Sequence, residues 1–303
     1  HGGLLCGPVV GVGEEALLGG LSVERASRGA EDGFVDDVRQ GAQQAVELLT
    51  GLIAEKPRIP EYRHLLALCL REPPGLRRTA SRPADNGPVE QAVAILEDLA
   101  SEYPHIPQYQ FDLSETYAMQ ARWDGSANRL EKAVDIMQSL VSQWPNVPSY
   151  QFSLGRLHLR LWDEGVQAGR PDAALPSLQR AIGLQVDLAK RYPAVPTYAM
   201  TAAFSELTMA QWQESRSKHN EARVLLESAV RRLDDLTATE GHKPHVRMLA
   251  AQCYEQLARV YRSLGKEDLS REAEQKSAAL RPPRGLGPPR EPDTPRPRSG
   301  GGI

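Results

Sequence analysis

Seven histidines are the first side chains to test for catalysis or metal binding, and they are scattered at positions 1, 64, 105, 158, 219, 242 and 245. His242 and His245 share a turn with Lys243 and Pro244, which reads as a solvated turn rather than a metal site. His158 lies in an apolar helical stretch and is expected to pack or hydrogen-bond there. Cys6, Cys69 and Cys253 are too few and too far apart for a disulfide framework or a zinc site. Cys69 and Cys253 fall in apolar stretches and read as buried, inert thiols, which fits a reducing, cytoplasmic compartment. Asp112 and Glu115, like Glu131 and Asp135, stand one helical turn apart, without the cleft that paired acid chemistry needs, so both pairs read as solvated faces.

The motif phrases of phosphate-binding loops, nucleophile elbows, zinc proteases and kinases are absent, and Leu264-Gly265-Lys266 is an isolated fragment at a helix end. No catalytic constellation and no cofactor are implied, so the chain reads as a non-enzyme. Two polar segments remain. Arg77 and Arg78 precede Ser81, a spacing basophilic kinases prefer, although such matches are frequent by chance. From Pro282 the chain is rich in proline and arginine, with Pro289, Pro292 and Pro295 at Pro-x-x-Pro spacing. It reads as a disordered basic tail, the alternative being a polyproline II ligand for an SH3-like groove.

The 303 residues are 25% charged, 41% hydrophobic and 6% aromatic, with net charge −3 and pI about 6.2, which excludes wholesale disorder. That balance offers no electrostatic footprint for nucleic acid or an anionic membrane. No stretch reaches the roughly 18 apolar residues of a spanning helix. The chain opens on His1 rather than Met, which reads as a fragment or a processed form.

The elements that would position any site come from a repeat. Lys56-Pro57-Arg58-Ile59-Pro60-Glu61-Tyr62 recurs as Tyr103-Pro104-His105-Ile106-Pro107-Gln108-Tyr109, Trp144-Pro145-Asn146-Val147-Pro148-Ser149-Tyr150 and Tyr192-Pro193-Ala194-Val195-Pro196-Thr197-Tyr198. A worn copy ends at Lys243-Pro244-His245-Val246, and the second prolines are 47, 41, 48 and 48 residues apart. A period in this range marks stacked supersecondary units. Upstream of each turn the apolar residues follow a helical period, as in Ala92, Val93, Ile95, Leu96, Leu99, Ala100 and Tyr103. The first proline ends that helix, and the second suits the first turn of the next.

The unit is therefore helix, loop, helix, proline turn. First helices are expected near 60–71, 107–122, 148–162, 196–214 and 244–264. Second helices are expected near 35–55, 88–102, 127–143, 173–191, 220–237 and 267–280. Residues 35–281 form an all-α repeat domain of about five units, flanked by a Gly-rich low-complexity segment over 1–34 and the tail over 282–303. Trp123, Trp162 and Trp212 recur near first-helix ends and are expected to wedge adjacent units together.

These residues resemble the tetratricopeptide repeat (TPR). Its second-helix pattern of a small residue, two packing residues and a proline reads Ala45, Leu49, Leu52, Pro57; Ala92, Leu96, Leu99, Pro104; Ala133, Met137, Leu140, Pro145; and Ala181, Gln185, Leu188, Pro193. Alanine to proline is twelve residues each time. The first-helix pattern appears as Leu113, Ser114, Tyr117, as Leu154, Gly155, His158 and as Leu257, Ala258, Tyr261. The units exceed the family's usual period, so this looks like a long-helix, divergent form. The resemblance implies a TPR-like α-solenoid, a right-handed superhelix of stacked helix pairs with Ala92, Ala133 and Ala181 at close contacts. Phrases such as Tyr62-Arg63-His64-Leu65-Leu66-Ala67 and Phe111-Asp112-Leu113-Ser114-Glu115-Thr116-Tyr117-Ala118 look like arrays that follow bacterial Ser/Thr kinase or anti-sigma-like modules.

The resemblance implies that the first helices line a concave groove that takes a peptide or helix of a partner protein. Its exposed positions should include Glu115, Met119, Arg156, Arg160, Thr208, Gln252 and Gln256. Where chaperone-binding relatives carry a carboxylate clamp, this chain has Phe111, Glu115, Phe152 and Arg156, which excludes that specificity. The alternative is a regulatory or spacer region of a larger bacterial signalling protein.

Overall fold

The computed structural model describes residues 28–71 and 87–281, with side chains from Gln40 onward. Cys6, the arginine loop at Ser81 and the tail from Pro282 lie outside the described residues. Eleven helices are described: α1 (Arg28–Glu55), α2 (Pro60–Arg71), α3 (Gly87–Glu102), α4 (Pro107–Asp124), α5 (Ala127–Gln143), α6 (Pro148–Gln167), α7 (Pro171–Arg191), α8 (Pro196–Ser215), α9 (His219–Glu240), α10 (Pro244–Ser263) and α11 (Glu267–Leu280). No strand occurs among the described residues. The helices fall where the periodicity puts them, with two differences: α1 starts at Arg28 rather than near 35, and α6 runs on to Gln167. None of them is long and apolar enough to cross a membrane.

The joints between units repeat one backbone geometry. The N–H groups of Tyr103, Trp144 and Tyr192 close the preceding helix on the carbonyls of Leu99, Leu140 and Leu188, at 2.9, 2.8 and 2.9 Å. Three residues on, the N–H groups of Ile106, Val147 and Val195 donate back to Tyr103, Trp144 and Tyr192, at 3.0, 3.2 and 3.1 Å. Those same three residues are N-caps in the extended region, without a capping side chain, each followed by proline at the first helical position. The missing proline N–H removes one donor that no helix start can satisfy internally.

Packing follows a strict register. Counted from each second-helix alanine, the residues at −3, 0, +4 and +7 are sealed: Val89, Ala92, Leu96 and Leu99 in α3, and Leu130, Ala133, Met137 and Leu140 in α5. Leu178, Ala181, Gln185 and Leu188 repeat this in α7, and Leu226, Ala229, Leu233 and Leu236 in α9. Each buried leucine contributes about 1.5–3 kcal/mol of apolar burial. The facing first helices carry a small residue seven after the proline: Ala67, Ser114, Gly155, Ala203 and Ala251. Close approach demands it. The Ser114 hydroxyl donates to the Ala133 carbonyl at 2.8 Å, and a Cβ on Gly155 would lie 3.1 Å from Gln185 Cγ.

Helices pack in consecutive order, each on its unit partner and on the next unit. The first helices α2 and α4, and α8 and α10, also touch directly, whereas second helices do not approach one another comparably. First helices therefore occupy the inner side of the curve. The tryptophan wedge is visible at one joint, where buried Trp162 meets Trp212 edge-on with ring centroids 6.3 Å apart.

Candidate functional site: the first-helix wall

Aromatic contacts run from unit to unit along the inner wall. His64 meets Tyr109 at 5.0 Å, Phe111 meets Tyr150 at 5.5 Å, and Phe152 meets Tyr198 at 5.4 Å between ring centroids. In each pair the first ring stands four residues after its proline and the second stands two after the next unit's proline. Such pairs add about 0.5–1.5 kcal/mol beyond their area, and they align the helices that carry the wall.

Asp112 braces the first joint. It accepts hydrogen bonds from His64 Nε2 at 2.8 Å, Gln108 Nε2 at 2.8 Å and Arg71 Nη1 at 3.1 Å. Burial pushes its carboxyl pKa up, but the bonds from His64 and Gln108 and the Arg71 charge outweigh burial and hold it below the usual carboxylate range. Spacing alone assigns Asp112 to a solvated face. The structure buries it, because two of its partners, His64 and Arg71, come from a neighbouring helix more than 40 residues away in sequence.

The predicted groove positions divide into two kinds. Glu115, Met119, Arg156 and Thr208 are half-buried on the wall, and Gln252 is exposed. Glu115 has no hydrogen-bond or ion-pair partner among the described residues, while the Arg156 guanidinium lies over the Phe152 ring, 5.9 Å from its centroid. Arg160 and Gln256 are turned inward. Arg160 donates to the Ala118 carbonyl of the preceding first helix and pairs with Glu164 at 3.7 Å. Burial lowers its pKa, with Arg122 and Arg156 adding to the effect and Glu164 opposing it. Gln256 is only 3% exposed, donates to Glu214 of α8 and accepts from Arg259, so it departs from the expected exposure. Both act as braces between first helices.

One wall residue escapes the sequence reading. Phe204 stands eight residues after its proline, the slot held by Glu115, Arg156 and Gln252 in other units, and it is 48% exposed. The same offset that singles out its neighbours could have found it. The register −3, 0, +4, +7 buried against a small first-helix residue is now complete in four successive units.

The fold is a TPR-like α-solenoid.

No protein-family model matches the sequence, and no curated protein matches it. Solved structures resemble the TPR-like stack at low identity. BtubC from P. vanneervenii is 15% identical, with TM-score 0.46 over 84% of this chain and 96% of that one. YrrB, described as a TPR protein with an unusual peptide-binding site, is 14% identical, with TM-score 0.43 over 79% and 95%. TTC0263, a TPR protein of Thermus thermophilus, is 15% identical, with TM-score 0.40 over 73% and 98%.

Elsewhere the TPR-like stack holds polar groups that serve packing. His158 occupies the first-helix slot that holds Tyr117 and Tyr254 in other units. It is buried, and neither ring nitrogen has a partner among the described residues, so it packs there without hydrogen-bonding. Burial, with the Arg180 charge adding to it, lowers its pKa to about 4. Cys253 is buried and its thiol is pushed up to about 12, chiefly by burial, whereas Cys69 is only half-buried. An open cleft of about 550 Å³ lies between α3, α4 and α5, lined by Glu97, Tyr117, Gln120, Arg129 and Lys132 among others. Some of its groups pair with one another: the Tyr117 hydroxyl donates to Glu97, and Lys132 lies over the Tyr117 ring, while the buried Gln120 Oε1 has no partner among the described residues. Among the described residues no cluster of three potential metal ligands occurs.

Proposed function

We propose that the chain is a non-enzymatic scaffold whose first-helix wall binds an extended or helical segment of a partner protein. The observation that supports this is a column of side chains that make no hydrogen bond or ion pair among the described residues. Eight residues after each proline stand Glu115, Arg156, Phe204 and Gln252, in four successive units, while the slots beside them are consumed by aromatic pairs and braces. An exposed phenylalanine next to an arginine is the composition of a binding hot spot, and acidic Glu115 and neutral Gln252 at the ends favour dispersed contacts over one charge clamp.

The test is a selection of peptides displayed in a random library against the full chain. Replacing Phe204 and Arg156 together by alanine should weaken the selected peptides about 30-fold or more, as loss of a hot spot does. The melting temperature should move by only a few degrees, because Phe204 is half-exposed and Arg156 makes no ion pair among the described residues. Selected peptides that bind the double variant undiminished would falsify the wall as the binding site.

A further inference from the structure

The unit made by α4 and α5 is shorter than the two that follow it. From its proline to its register alanine, Pro107 to Ala133, is 26 residues, against 33 from Pro148 to Ala181 and from Pro196 to Ala229. The loss falls at one end. There α4 stops at Asp124 after 18 residues, where α6 and α8 each run to 20. The partner helix α5 starts six residues before its alanine, where α7 and α9 start ten before theirs. The open cleft between α3, α4 and α5 lies at that shortened end, against Asp124, Ser126 and Arg129. On α4 it meets Tyr117, Gln120 and Asp124, the helix face opposite Glu115 and the inner wall.

In the longer units the same space is filled. Val93, Gln120 and Arg129 line the cleft, and by register their counterparts around α8 are Ile182, Met209 and Leu225. Those three close on Trp162 and Trp212 in one apolar cluster. Between α9 and α10 the filler is a phenol. Tyr261 stands seventeen residues after its proline, the slot of Asp124, and its buried side chain donates its hydroxyl to Glu227 at 3.0 Å. Glu227 stands two before its register alanine, as Glu90 of the cleft does before Ala92.

Gln120 is the exception in its column. Thirteen residues after the proline, the later first helices carry Leu161, Met209 and Leu257. Exposure to solvent would explain a polar residue beside an open cleft, but Gln120 is only 5% exposed and its Oε1 has no partner among the described residues. A buried acceptor left unpaired costs about 1–3 kcal/mol, so the cleft holds an acceptor that lacks its donor. The charges at the rim do not ask for an ion. Asp124 is paired with Arg129, and Glu97 accepts from Tyr117, so a neutral donor suits the site.

We propose that this cleft is a socket for a tyrosine side chain of a partner protein, its ring resting on Val93 and its hydroxyl donating to Gln120 Oε1. The chain's own Tyr261 is the template, a phenol seated between a second helix and the first helix that follows it. A phenol supplies the donor that Gln120 lacks, and its oxygen accepts in turn from the Lys132 ammonium, which makes no ion pair among the described residues. The socket opens on the side of α4 turned away from the first-helix wall. A partner held there leaves the wall free for a different segment.

Titration of the full chain with N-acetyl-tyrosinamide and with N-acetyl-phenylalaninamide, followed by nuclear magnetic resonance, tests the socket. The tyrosine probe should saturate while shifting the backbone amides of Val93 and Arg129 and the Gln120 side-chain amide, the last identified by its loss in Gln120→Leu. The phenylalanine probe leaves Gln120 unpaired and should bind about tenfold or more weaker. In Gln120→Leu that preference should vanish. If the variant does not fold, the comparison of the two probes on the wild type still decides. The proposal is overturned if the tyrosine probe does not saturate, if both probes bind the wild type equally, or if Gln120→Leu keeps the preference. The variant with Phe204 and Arg156 replaced by alanine should bind the tyrosine probe as the wild type does. Lost binding there would move the phenol to the wall and overturn the socket.

Discussion

Gln185 occupies a slot that holds Leu96, Met137 and Leu233 in the neighbouring units, and its side chain is fully buried. Its Nε2 has no partner among the described residues. At the other end Ser205 Oγ reaches both Gln185 Oε1 and the Thr201 carbonyl, the latter at 3.0 Å, with a single proton to donate. Whichever acceptor it serves, the amide keeps at least one end unpaired. An unpartnered buried amide costs about 1–3 kcal/mol. Methionine has nearly the same length and is already accepted at this slot in α5. Gln185→Met should therefore stabilise the chain by about 2 kcal/mol, with Ser205 retaining its bond to Thr201. For a domain of this size that raises the melting temperature by about 4–8 °C. Gln185→Ala removes the same orphaned group but leaves a cavity against Gly155, and it should melt below the wild type. Thermal and urea unfolding of the three proteins would decide the matter. If Gln185→Met melts at or below the wild-type temperature, the amide is satisfied in a way the burial argument misses, and the reasoning is refuted.

Ala133→Leu should destabilise by roughly 1–3 kcal/mol through overpacking against Ser114, read from urea midpoints; an unchanged midpoint would show that the helices can separate freely there. For His158, the unfolded chain takes up a proton near pH 6.5, whereas the folded chain resists it down to about 4. Its contribution is therefore present above pH 6.5 and lost as pH falls from there towards 4, by about 2–3 kcal/mol. His158→Phe should remove that part of the pH dependence of melting between pH 7.5 and 4.5, and an unchanged profile would assign the acid sensitivity to other groups.

What was legible in the sequence was the periodic part. The alanine-to-proline distance identifies four second helices because a proline is a visible end mark. The equivalent helix α9 has the same sealed register, but twelve residues after Ala229 stands Gly241, so the motif lost its mark while the packing kept its form. Which side of a first helix a residue occupies was legible for the same reason, since offsets from the proline set it. Contacts between units were not legible. Asp112 is buried by His64 and Arg71, and Gln256 is drawn in by Glu214, 42 residues earlier. Both depend on which side chains the stack brings opposite one another, and helical periodicity carries no record of that.

The proline joints have a consequence for how such a chain can change length. Each joint is closed by main-chain hydrogen bonds of one geometry, and its capping residue, Ile106, Val147 or Val195, donates or accepts nothing through its side chain. A segment cut from one proline turn to the next thus ends in the same connector with which it begins. Duplicating or deleting that segment rejoins identical backbone ends, leaving only the side-chain contacts of the new neighbours to be refitted. The solenoid is a chain of interchangeable links whose length can change by whole units.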